Sequence, residues 1–139
     1  MKKVLNRIKN QRGLTLIELL AVVVILGIIA AIAVPSVGKI ISNTKEDAKV
    51  AEALQIINAA KIAQANDSTK TSWVYDAEAN DTTNGELKEY LNSVKDTSFT
   101  VTFDAISGNY SIKNHDSATV VGSAADAAVL ESTLTAKAQ

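Results

Sequence analysis

The spacing of apolar and polar residues changes period along this chain, and each period predicts a different element. From Gly13 to Gly38 (GLTLIELLAVVVILGIIAAIAVPSVG) the run is apolar apart from one charge, Glu18. A helix that crosses a bilayer core needs about 20 such residues at ~1.5 Å rise each, and this run meets that length. Beyond it the pattern becomes amphipathic. Val50, Leu54, Ile57 and Lys61 form one helical row, and Ile56, Ala59, Ala60 and Ala63 its neighbour. Lys45, Glu46, Asp47, Lys49 and Glu52 supply the polar side. One helix is therefore expected from Leu14 to about Asn66, ~80 Å long at the helical rise, stopping at Asn66-Asp67-Ser68. Pro35, the only proline, cannot donate to the helix ladder and should kink it.

The remainder reads as a small mixed domain. Thr69 to Gly85 is rich in Asp, Asn and Thr and reads as a long connecting loop, with Trp73 and Tyr75 apolar enough to dock on something. Leu87, Tyr90, Leu91 and Val94 recur at helical spacing and predict a short helix from Asn84 or Gly85 to about Val94. The period then falls to two. Phe99, Val101 and Phe103 alternate with polar residues, as do Tyr110 and Ile112, and Ser107-Gly108-Asn109 between them suits a hairpin turn. Ala118 to Val121 reads as a third strand. Ser123 to Gln139 reads as an Ala-rich helix, with Asp126 early and Lys137 late to suit its dipole.

All six aromatic residues lie between Trp73 and Tyr110, so the core of this domain belongs there. About 70 residues bury too little apolar surface to be comfortable alone. The second half of the long helix can supply the missing face. The expected class is thus α+β: a long, kinked N-terminal helix whose far half packs against a small antiparallel sheet of about three to four strands.

Charge adds a direction. Residues 1–13 carry Lys2, Lys3, Arg7, Lys9 and Arg12 and no acid, whereas the rest holds nine bases against fifteen acids. The basic end should stay cytoplasmic while the chain beyond the apolar run crosses the membrane. An acidic body argues against a broad nucleic-acid-binding face, and Lys88, Lys95 and Lys113 read as scattered surface lysines. There is no cysteine, so no disulfide holds the domain together.

The junction carries a family signature. Lys9-Asn10-Gln11-Arg12-Gly13, followed by Leu14-Thr15-Leu16-Ile17-Glu18-Leu19-Leu20, resembles the cleavage and methylation site of type IV prepilins and pseudopilins. The resemblance covers roughly Met1 to Ala65. It combines a short basic leader, a Gly at the cut, a Thr second and a Glu fifth after it, and an unbroken apolar helix. That family usually begins its mature chain with Phe, and here Leu14 stands in that place. The resemblance implies that a membrane-embedded prepilin peptidase cuts after Gly13 and N-methylates Leu14. It implies that Glu18 meets the Leu14 amine of a neighbouring subunit and sets axial register, and that the helix loosens between Gly27 and Pro35. The domains then read as a leader over 1–13, the long helix over 14–66 (with 14–38 as membrane span and filament core), and a globular domain over 67–139.

The function so implied is structural: a subunit of a type IV pilus-like filament, made as a single-pass membrane precursor and polymerised with copies of itself. Its partners are the peptidase and methylase, the membrane, and a membrane-embedded assembly platform with its ATPase. Location is the cell membrane before assembly and an extracellular filament after it. The rivals are a competence or type II secretion pseudopilin, an unprocessed membrane-tethered binding domain, and an ordinary secretory cut near Ala33. A soluble enzyme ranks lower, for no catalytic set, phosphate loop or dinucleotide fingerprint is visible, and no cofactor is expected. His115, the only histidine, reads as a solvated loop residue. Asp76, Glu78, Asn80 and Asp81 lack the spacing of a calcium loop and read as solvated turn residues.

Overall fold

The computed structural model describes residues 2–76, 87, 89–91 and 94–139, with side chains from Thr15 onward. In chain order the elements are helix α1 (Lys2–Asn66), strands β1 (Ser72–Asp76), β2 (Ser98–Asp104) and β3 (Asn109–Lys113), helix α2 (Ser117–Val120), strand β4 (Val129–Leu130) and helix α3 (Glu131–Lys137). The architecture is α+β. The chain divides into two compact units, Met1–Ser42 and Asn43–Gln139.

The first unit is helix alone. Every large apolar residue from Leu16 to Ile41 is exposed, by 50 to 71%. A helix apolar on all sides cannot satisfy itself in water.

In the second unit the sheet runs β1-β2-β3-β4, all neighbours antiparallel. Period-two side chains put one apolar row across all four strands: Trp73 opposite Val101, Val101 opposite Ile112, Ile112 opposite Val129. All four are buried. Beside that row Tyr75 stacks on Phe99 with centroids 4.9 Å apart, and Phe103 tilts against Tyr110 at 4.8 Å. The apolar rows of α1 belong to the same core. Val50, Ala53, Ile56, Ile57, Ala59, Ala60 and Ala63 are all buried within it. Four of these seven are alanines, which allow a helix backbone to lie close against aromatic and β-branched partners. Leu54, on the row expected to face the sheet, is only half-buried, and the centre falls to Ile56 and Ile57.

Three sequence expectations need correction. The loop expected over Thr69–Gly85 contains a strand: Trp73, Val74 and Tyr75 alternate inward and outward as β1. Polar neighbours masked that alternation, and pairing with β2 settles it. The strand expected at Ala118–Val121 is one turn of helix, α2. Four residues, three of them apolar, do not distinguish the two periods, and the chain has just left β3 through Asn114, whose φ of 58° turns it away from the sheet. The helix expected over Ser123–Gln139 is confined to Glu131–Lys137, with Glu131 in its first turn and Lys137 in its last. Asp126 precedes it, and Val129–Leu130 pairs with β3 instead. The fourth strand therefore comes from a stretch read as helix.

The β2–β3 turn agrees with expectation. Gly108 takes φ +70°, a conformation that glycine adopts without a Cβ penalty. Asp104 closes the turn, its carboxylate accepting from the Ile106 N–H at 2.9 Å and the Ser107 hydroxyl at 2.7 Å. The helix expected from Asn84 or Gly85 to about Val94 lies largely outside the described residues. Of its repeat, Leu87 and Leu91 are buried and Tyr90 and Val94 half-buried in the core.

Candidate functional site

The residues of the processing and assembly reading all lie on α1. Gly13 and Leu14 are helical in backbone. Glu18 comes four residues after Leu14, about one turn or ~6 Å along the axis, and its side chain is exposed. No other charge occurs from Leu14 to Gly38. An amine at Leu14 and a carboxylate at Glu18 share a helix face. In an apolar environment each is costly alone and tolerable when paired.

Gly27 has open space around it: a Cβ there meets nothing within 4 Å. Its absence of side chain is therefore not forced by packing inside this chain, and it costs the helix about 1 kcal/mol relative to Ala. Pro35 lies inside α1, where it withdraws one N–H from the ladder. Among the described residues, one helix is long and apolar enough to cross a membrane, and its apolar window has no part buried by the rest of the chain. Contiguous apolar surface of that kind marks a membrane or partner contact.

A second group, not foreseen from the sequence, ties α1 to the sheet within the second unit. Glu52 accepts the backbone N–H groups of Lys95 at 2.5 Å and Asp96 at 3.1 Å, holding the approach to β2. Lys49 pairs with Asp116 at 3.1 Å. Lys61 pairs with Glu131 of α3 and lies over the Tyr110 ring, 5.3 Å from its centroid, while the Tyr110 hydroxyl donates to Gln64. Asn66 donates to the Tyr90 hydroxyl at 2.6 Å. From sequence these are ordinary polar helix positions; only the partner segments, 24 to 70 residues away, give them a role. Truncating Glu52→Ala leaves two N–H groups without their acceptor. Urea unfolding followed by Trp73 fluorescence should register a loss of about 1–3 kcal/mol.

His115 is not the solvated loop residue expected. It is 2% exposed, its ring edge-on to Phe99. Burial holds its pKa below the ordinary value, against the opposing pull of the carboxylates of Asp96, Glu52 and Asp116. Its position offers one faint signal: the residue comes two positions after the end of β3, where the chain turns.

Of the calcium candidates, Asp76 ends β1, and Glu78, Asn80 and Asp81 lie outside the described residues, as does Lys88. Among the described residues no group of three or more His, Asp or Glu side chains is arranged to hold a metal ion.

An apolar helix with a lone carboxylate near its start, followed by a small antiparallel sheet, defines a membrane-anchorable α+β protein. The prokaryotic N-terminal methylation motif matches residues 8–34. Residues 8–34 thus carry the leader signature found in type IV prepilins and pseudopilins. No curated protein and no solved structure matches the chain.

Proposed function

We propose that this chain is the precursor of a filament subunit. It is inserted in the membrane by residues 14–38, cleaved after Gly13, N-methylated at Leu14, and polymerised with its own copies through the apolar helix. The observation that carries this reading is the methylation motif at residues 8–34. The bare apolar surface of α1 supports it, because that surface requires lipid first and other helices afterwards. At about 25 cal/mol per Å² of apolar area removed from water, mutual burial of such helices is ample for cohesion.

The partners in this reading are a prepilin peptidase that also methylates, an assembly platform with its ATPase, and further copies of the chain. The filament stands outside the cell, with the acidic globular part facing solvent. Within the class, a pilus major subunit is preferred over a competence or secretion pseudopilin, because the body is long for a competence-type subunit and lacks the paired cysteines common there. Gly27 and Pro35 bracket the segment proposed to loosen when the helix leaves lipid, since both weaken the helix ladder.

Intact mass of the protein recovered from cells tests the first step. The expected species begins at Leu14 and carries one added methyl group. An unprocessed chain, or a mature N-terminus near Ala33, contradicts the proposal and favours a tethered or secreted domain.

A further inference from the structure

We propose that His115 is a proton-operated latch that fixes the turn between β3 and α2 to the α1 face while neutral and releases it when protonated. The two ring nitrogens have different surroundings. The backbone N–H of Ser117 donates to His115 Nδ1 at 3.0 Å, and the Ser117 hydroxyl lies 2.9 Å from the same nitrogen. A nitrogen that accepts a backbone N–H carries no proton of its own. The ring proton therefore sits on Nε2. Among the described residues that nitrogen is buried and makes no hydrogen bond, and the nearest carboxylate oxygen, of Asp96, is 3.9 Å away.

A second proton has only Nδ1 to occupy. There it meets the Ser117 N–H donor to donor, and the 3.0 Å bond cannot survive. Ser117 is itself fully buried, so its released N–H finds no water without opening of the segment. The turn holding these residues carries the seam. Asp116 pairs with Lys49 of α1, and its N–H donates to Asp96 at 3.0 Å. The Asp96 N–H in turn is held by Glu52 of α1. Opening at Ser117 therefore loosens the Lys49–Asp116 tie to the helix and the Asp116–Asp96 bond beside it.

The charged groups facing the ring come from each packed segment: Lys49 and Glu52 from α1, Asp96 before β2, and Asp116 from its own turn. β2 contributes the uncharged edge of Phe99. Three carboxylates favour the cation, and Lys49 and burial oppose it. Burial is the largest of these influences and the net direction is downward. A histidine with a lowered folded pKa stabilises the fold fully above its unfolded value of 6.5. That stability is lost as pH falls from there toward the folded value.

The test uses the full chain in detergent micelles. Hydrogen exchange read by mass spectrometry, corrected for intrinsic rates, is compared between pH 7.5 and 5. Protection of the amides from His115 to Val121 should fall by up to about tenfold per pH unit below 6.5, the limit for one linked proton. The β2 and β3 amides should fall less. His115→Gln, whose side-chain carbonyl can still accept from Ser117 without titrating, should remove the pH dependence. Equal protection at both pH values in the wild type, or the same loss in the Gln variant, overturns the latch. If the Gln variant does not fold, the wild-type ring decides: as the only histidine it gives a single Hε1 signal. A titration midpoint below 6.5 supports the latch, and one at or above 6.5 overturns it.

Discussion

Glu18→Gln should leave membrane insertion and cutting at Gly13 largely intact while strongly reducing the yield of sheared filaments. Gln keeps the shape of the side chain and removes its charge, so the variant isolates the charge from the space it fills. The physical case rests on placement. Glu18 stands alone in an apolar segment, and an unpaired carboxylate removed from water either takes up a proton or finds a cation. The proposed cleavage after Gly13 would create one cation nearby, the Leu14 amine, one turn away along the helix. A subunit's own amine lies at its helix start, where Glu18 reaches it poorly. The amine of a neighbouring subunit can approach side-on.

In the proposed filament, pairing across subunits would link processing to assembly, because uncut precursor lacks an amine at that position. Glu18→Ala should behave like Glu18→Gln. The informative measurement is filament yield set beside the pool of mature protein left in the membrane. Normal filament yield from the Gln variant means that the charge pair does not set register.

The second large effect concerns the core of residues 43–139. Phe99 is 1% exposed and stacks on Tyr75. Its row lies beside the Trp73–Val101–Ile112–Val129 row, and Ile56 and Ile57 of α1 share the same cluster with no exposure at all. Phe99→Ala should cost about 3–5 kcal/mol, and Ile57→Ala about 2–5 kcal/mol. Small domains have only about 5–15 kcal/mol in total, so each change removes a large fraction of the stability of the fold.

Urea unfolding of the full chain in micelles, followed through buried Trp73, gives both values. Because Ile57 is on α1, the same core predicts a difference between fragments. Residues 43–139 should unfold cooperatively, and a fragment starting at Thr69 should not. Equal cooperativity in the two fragments shows that the sheet is self-sufficient and that the helix is dispensable to it.

Local periodicity and covalent order account for everything that was legible in the chain alone. Leu16 to Ile41 reads as an apolar helix because no side of it is polar. The methylation motif over residues 8–34 is recognisable because it is a matter of spacing along one chain. The 3.6-residue rows from Val50 to Ala63 and the two-residue alternation of β2 and β3 were legible for the same reason: both periods persist long enough to exclude the other.

Elements too short to hold a period were assigned by their tertiary surroundings. β1 was hidden among Asp, Asn and Thr until Trp73 and Tyr75 found Val101 and Phe99 across the sheet. The residues of α2 and β4 could satisfy either period. The Asn114 turn directs one, and pairing with Ser111 and Ile112 directs the other. The seam groups depended on tertiary structure most of all. Glu52 and Lys61 have ordinary neighbours in sequence, and their partners come from segments 43 to 70 residues away; His115 is bonded to the nearby Ser117, but it is packed against Phe99, 16 positions earlier. Such contacts arise from packing rather than from the local pattern, so no periodicity records them.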